Sequence, residues 1–272
     1  MSSTFFRFLL NSYRFFLFHR KRLWNPSERK WMGWERKRGK LHEFNRLRRG
    51  ATDTSFLPLD GAPAAAPPGV RYVITLDADT KLPIGTVRRL VGTAAHPLNR
   101  PVFDPTARRV IDGYGLFQPR ITPTLPQRLE RSVFQQIIAG ACGFDPYASA
   151  VSDVYQDLFG HGTYTGKGLH EVDTFEAALA GRAPENTQLS HDLFESVFAR
   201  CALVSDIEFF EEFPSRTGVA ASRSHRWARG DWQLLRWIFG PRGKDMPLVG
   251  RWQMLDNLPP FIVRARATCS PW

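Results

Sequence analysis

The run Tyr72-Val73-Ile74-Thr75-Leu76, closed by Asp77-Ala78-Asp79, constrains this chain more than any other feature. Short, continuous β-branched runs are the mark of strands buried on both faces of a sheet. A strand of that kind requires covering layers above and below it, so the chain is expected to be an α/β protein. The two carboxylates then fall where the strand leaves the sheet, and in open α/β sheets ligands bind beyond the carboxyl ends of the strands. If the strand continued that far, the i, i+2 spacing would place both on one face. Two hard oxygen ligands on one face suit a divalent cation carrying a diphosphate. The alternative reading is a pair of solvated turn aspartates.

A chain of 272 residues can hold one sizeable α/β domain or two small ones. Its net charge of +11 is placed unevenly: residues 1–50 carry 14 Lys+Arg against 3 Asp+Glu, and the remainder carries 23 of each sign. The basic excess is therefore N-terminal, and it suits phosphates, anionic lipid or nucleic acid, or forms a solvated surface. Cys142, Cys201 and Cys269 are odd in number and lack metal-ligand spacing, which argues against a disulfide scaffold or structural zinc and fits a reducing compartment. Arg7 and Arg14 interrupt the apolar start, and no stretch has the length of a membrane span.

Along the chain, the spacing predicts a helix within 26–49 with Leu41, Phe44 and Leu47 on one face. A Gly/Pro/Ala-rich flexible connection covers 50–70, and a helix covers 84–95. A strand is expected over 110–118, with Gly113 and Gly115 marking a bulge or close approach. Leu125, Leu129, Val133, Ile137 and Ile138 step as a helix face; Ser190 is a candidate N-cap for a helix over 191–203; a last helix runs over about 222–239.

Four further groups could carry chemistry. Asp192, after His191, stands in the first turn of a helix, where a carboxylate either complements the dipole or serves as a general base. Arg223, Arg226 and Trp227 share a helix face; the guanidiniums could grip a diphosphate and the indole could stack on a ring, or the face is an amphipathic helix with Trp227 inside. The loop holding Gly166, Lys167 and Gly168 is not a P-loop, because Gly168 follows the lysine, yet its glycines allow close backbone approach. Lys37, Arg38 and Lys40, around Gly39, could supply cations to a nucleotide or form a solvated face.

The order of these groups is informative: D-x-D, a Gly-rich loop, His-Asp at a helix start, then R-x-x-R-W. It resembles the order in processive inverting glycosyltransferases. The stretches WMGWERKRGKLHEFN, RYVITLDADTKLP, GYGLFQPR, DPYASAVSDVYQDLFGHGTYTGKG, GRAPENTQLSHDLFE and HRWARGDWQLL resemble the glycosyltransferase domain of cyclic β-1,2-glucan synthases, from about residue 10 to residue 256. The resemblance implies a GT-A (Rossmann-like) fold, UDP-glucose as donor, Mg²⁺ or Mn²⁺, a growing β-1,2-glucan acceptor and inversion, at the cytoplasmic face of a bacterial inner membrane alongside the rest of a larger parent enzyme. It implies no nucleic-acid partner. Carried over by position, Asp77 and Asp79 look like the metal and diphosphate ligands, and Asp192 like the base. Arg223, Arg226, Trp227, Lys37, Arg38 and Lys40 look like donor-binding residues, and Gly166, Lys167, Gly168 and His191 like the acceptor side. The family pattern places a first nucleotide-binding strand before residue 10, and PPFIVRARATCSPW departs from it. The expectation is a fragment: a partial glycosyltransferase domain over 1–257 and a non-family tail over 258–272. Other readings are a cellulose- or chitin-synthase-like hexosyltransferase, and an inactive basic binding module.

Overall fold

Alternating and β-branched segments make the strands of this protein, and Gly, Pro and positive-φ residues end them. The computed structural model describes residues 16–59, 61–124, 132, 153–189, 191–212 and 214–258. Residues 1–70 form one compact unit and residues 71–272 another.

In the first unit, β1 (Leu23–Asn25) and β2 (Lys30–Met32) form an antiparallel ribbon, followed by α1 (Arg36–Arg48). Leu41, Phe44 and Leu47 are only half-buried, and the buried positions of α1 are Gly39, Glu43 and Asn45. The reason is a polar clamp. Arg20 pairs with Glu43 at 2.7 Å and donates to Ser55 Oγ at 3.0 Å and to the Trp34 carbonyl at 2.6 Å. Ser55 in turn donates its N–H and hydroxyl to the Glu43 carboxylate. Phe18 packs edge-on against Phe44 and Phe56. The 50–70 segment is thus pinned at Ser55 and Phe56, both buried, where composition predicted a flexible connection.

The second unit is mixed α/β. In chain order it runs β3 (Tyr72–Thr75), β4 (Thr80–Lys81), α2 (Thr86–Ala95), β5 (Val102–Asp104), β6 (Arg109–Asp112) and β7 (Leu116–Pro123). Then come α3 (Val154–Phe159), β8 (Gly168–Glu171), α4 (Val172–Leu179), α5 (Asp192–Ala199), β9 (Cys201–Glu211), α6 (Thr217–Gln233), α7 (Leu235–Ile238) and α8 (Leu248–Asp256). Five strands pair in the order β3-β8-β7-β9-β4. Only β7 and β9 are parallel; the other pairs are antiparallel, so the sheet is mixed. Leu116 belongs to the apolar core with Phe194, Phe198 and Trp237, and its neighbour Phe117 to the core with Leu90 of α2. Alternation along β7 thus fills both faces of the sheet.

Four expectations are revised. The strand over 110–118 is two strands, β6 and β7, parted at Gly113 (φ 61°), where the backbone approaches Arg100 too closely for a side chain. The helix over 191–203 stops at Ala199: Arg200 takes φ 50° and the alternating run from Cys201 onward becomes β9. The last helix starts earlier, at Thr217, and breaks after Gln233. The strand expected to be buried on both faces is β3, which lies at an edge of the sheet with Tyr72, Val73 and Ile74 only half-buried and Leu76 exposed just beyond it. The helix face from Leu125 to Ile138, the cap Ser190, and Cys142 and Cys269 lie outside the described residues. Among the described residues no helix is long and apolar enough to cross a membrane.

Candidate active site

Strand β3 ends at Thr75, so the strand pleat does not align Asp77 and Asp79; a turn does. Asp77 donates its N–H to Thr80 Oγ1 at 3.1 Å, and its carbonyl accepts from the Thr80 N–H at 3.1 Å. The turn carries the chain from β3, at one edge of the sheet, to β4 at the other. There Thr80 lies opposite Glu211, the last residue of β9. The turn therefore brings the two aspartates to a third carboxylate. One oxygen from each of Asp77, Asp79 and Glu211 lies within 4.8 Å of the others.

Two cations brace this trio. Lys167, buried just before β8, donates to both oxygens of Glu211 at 2.8 Å and stands 3.6 Å from Asp77. Arg223 of α6 donates to Glu211 at 2.9 Å and lies 3.7 Å from Asp79, with its guanidinium 4.5 Å above the Trp227 ring. Three carboxylates against two cations leave one net negative charge. The donor set is all oxygen and all carboxylate, which fits Mg²⁺ or Mn²⁺.

Beside it lies the Asp192 site, joined to the first through one loop. Thr165 donates its N–H and hydroxyl to Gln118 of β7, at 2.8 and 3.1 Å. Gln118 is fully buried, so the loop is anchored rather than loose. Thr75 shares a 2.8 Å hydrogen bond with the Tyr164 hydroxyl. Burial, with Glu195 and Asp192 nearby, pushes the Tyr164 phenol well above its ordinary range, so it stays protonated. Gly166 takes φ +82° and lies directly against Asp192: a Cβ there would sit 2.7–2.8 Å from three of its carboxylate atoms. Gly168 is held against the Phe117 carbonyl. Neighbouring loop residues thus touch the two sites, Gly166 against Asp192 and Lys167 against Glu211 and Asp77.

Asp192 is the first residue of α5, with His191 at the cap position. Its side chain is about one-third exposed. His191 Nδ1 hydrogen-bonds Glu195 at 2.9 Å and lies 3.2 Å from Asp192 Oδ1. Asp192 Oδ1 receives no hydrogen bond from the described residues. Oδ1 is itself buried, so it is the exposed remainder of the carboxylate that can accept a proton from outside.

The structure thus brings together Asp77, Asp79, Lys167, Arg223 and Trp227, and separately Gly166, His191 and Asp192. Arg226 is exposed, one turn from Arg223, and does not join the pair over the carboxylates. Lys37, Arg38 and Lys40 stand on α1 in the first unit, where Arg38 pairs with Glu35 at 2.6 Å. Gly39 is required there because a Cβ would collide with the Trp34 carbonyl. Glu211, Glu195 and Tyr164 were not singled out in the sequence. Glu211 had a signal: it occupies the inward position of the alternation Ile207, Phe209, Glu211, where an acid calls for partners.

Across 245 residues, 90% of its length, the chain is 58% identical to the cyclic beta-(1,2)-glucan synthase NdvB of Rhizobium meliloti (strain 1021). The chain is homologous to a segment of a cyclic β-(1,2)-glucan synthase. It spans 8% of the length of NdvB. No protein-family model matches it. The similarity to that synthase therefore covers nearly the whole chain.

Proposed function

We propose that this chain carries the sugar-transfer centre of a cyclic β-1,2-glucan synthase, with a GT-A-type fold, and that it moves glucose from UDP-glucose to a growing β-1,2-glucan with inversion. The reading places the work at the cytoplasmic face of a membrane, within a larger parent enzyme. The observation that carries it is the pairing, through one loop, of a braced carboxylate trio with a partly exposed aspartate at a helix start.

The chemistry asks for two things. A diphosphate must leave, and an acceptor hydroxyl must lose a proton as it attacks. Asp77, Asp79 and Glu211 would hold Mg²⁺ or Mn²⁺, which when bound supplies positive charge for the leaving diphosphate. Arg223 and Lys167 add fixed cations beside the same position, in a partly buried setting where charge is weakly screened. Trp227, under the Arg223 guanidinium, offers a flat apolar face for a sugar ring. The Asp192 carboxylate takes the acceptor proton as the new bond to the anomeric carbon forms and the bond from that carbon to the diphosphate oxygen breaks. One displacement with one base turns an α-linked donor into a β-linked product. Gly166 leaves room for the carboxylate at the loop backbone, and Lys167 links that loop to the trio.

Titration of UDP-glucose onto the chain with and without Mn²⁺ tests the donor half. The expected result is Mn²⁺-dependent binding that Asp79→Ala abolishes; equal binding without the ion overturns it. Asp192→Asn should bind donor normally and stop transfer, and a near-normal rate would place the base elsewhere. The linkage formed on a short β-1,2-glucan acceptor separates this reading from a cellulose- or chitin-type hexosyltransferase.

A further inference from the structure

His191 has one Nδ1 proton and two carboxylates within reach of it, 2.9 Å to Glu195 and 3.2 Å to Asp192. An ionised carboxylate only accepts, so with Glu195 charged it is Nδ1 that carries the proton in the bond between them. Glu195 is 2% exposed and sits one turn along α5, where the helix fixes its distance from His191. Asp192 Oδ1, the loser of this competition, receives no hydrogen bond from the described residues. Hydrogen bonds to a carboxylate stabilise its charged form and weaken it as a base.

We infer that Glu195 and His191 are positioning residues that keep the one nearby donor among the described residues turned away from Asp192, so that the Asp192 carboxylate has no hydrogen bond from it to give up when it takes the acceptor proton. The inference rests on the reading of Asp192 as the base. The groups facing Asp192 are His191 and Glu195 on its own helix, and Tyr164 and Gly166 on the loop packed against it. Tyr164 keeps its proton on Oη, hydrogen-bonded with Thr75, and so adds no charge that changes near neutral pH. Among the described residues, the donor that the contacts bring to Asp192 Oδ1 is therefore the imidazole, and Glu195 holds it.

The test compares two uncharged replacements in the full chain. Glu195→Gln removes the charge but keeps an oxygen that accepts from Nδ1. Glu195→Leu removes both, leaving the proton free to turn to Asp192. The titration midpoint of the Asp192 carboxyl carbon, followed by ¹³C NMR and assigned by its loss in Asp192→Asn, is expected to lie about one pH unit lower in Glu195→Leu than in Glu195→Gln. In transfer assays Glu195→Leu should lower kcat severalfold, with the acid limb moved to lower pH and KM for UDP-glucose unchanged, while Glu195→Gln recovers most of the rate. Equal midpoints in the two variants overturn the inference, because a purely structural glutamate would lower melting temperature without separating them. A second measurement needs no change at Glu195: the His191 Nδ1–H resonance should hold its position in Asp192→Asn, and a marked shift would show that the proton belongs to Asp192. Normal transfer by Asp192→Asn with the midpoints still separated would remove the base assignment and leave the hydrogen-bond competition standing.

Discussion

Gly166→Ala isolates the contact on which the Asp192 site depends. An alanine Cβ would lie 2.7 Å from Oδ1 and 2.8 Å from Cγ and Oδ2 of Asp192. Ordinary contact begins near 3.4 Å, so the carboxylate must withdraw by roughly 0.6 Å or the loop must retreat. The loop has little freedom, because Thr165 is tied to the buried Gln118, and Lys167 to Glu211. Asp192, one-third exposed, is the group that yields. The φ of +82° adds about 1–2 kcal/mol of strain for any residue with a Cβ. A displacement near 1 Å costs about a hundredfold in rate when a reacting group loses its alignment, so roughly tenfold to a hundredfold is expected in kcat here. UDP-glucose affinity should stay within about twofold, since in this scheme the donor is bound by the trio and Arg223. The assay is transfer kinetics beside calorimetric donor titration on the same samples, with melting temperature as the folding check. A folded Gly166→Ala protein with unchanged kcat would refute both the contact and the role of Asp192.

Glu211→Gln should weaken Mn²⁺ binding by roughly tenfold, the scale seen when a metal site loses a group that completes it; unchanged affinity by calorimetry would remove Glu211 from the donor set. Arg20→Met should cost about 3–5 kcal/mol in urea unfolding, because it strands the Glu43 charge in a buried setting; a loss under 1 kcal/mol would show the clamp to be incidental. Burial pushes His161 down from 6.5 to about 4, with its Nε2 near the Val197 carbonyl. The unfolded chain then binds the extra proton first, so this group's contribution to stability is complete above about pH 6.5 and is lost as pH falls towards 4. In His161→Phe that acid-side decline in melting temperature should flatten, and an unchanged slope would count against a neutral His161.

The sequence determined where the chemistry could be. The run Tyr72–Leu76 specified a strand but not its burial: the fold sets β3 at an edge of the sheet, half-buried at Tyr72, Val73 and Ile74, with Leu76 exposed just beyond it. The order of Asp77, Lys167, Asp192 and Arg223 pointed to sugar transfer through the family resemblance. Helix limits at 192–199 and 217–233 were less legible, because a run such as Cys201–Glu211 is apolar enough to extend a helix until its partner strand is known. The tertiary structure decided which groups meet. Glu211 joins Asp77 and Asp79 only because the turn after β3 delivers β4 to the edge of β9, a pairing that local spacing does not encode. Gly166 lies against Asp192 because Gln118, far away in the chain, anchors the loop. And His191 Nδ1 lies closer to Glu195 than to Asp192, by three-tenths of an ångström, because one helical turn sets Glu195 beside it. Periodicity reports on which face a residue lies, and the distances that make a base or a cation site come from elements far apart in sequence.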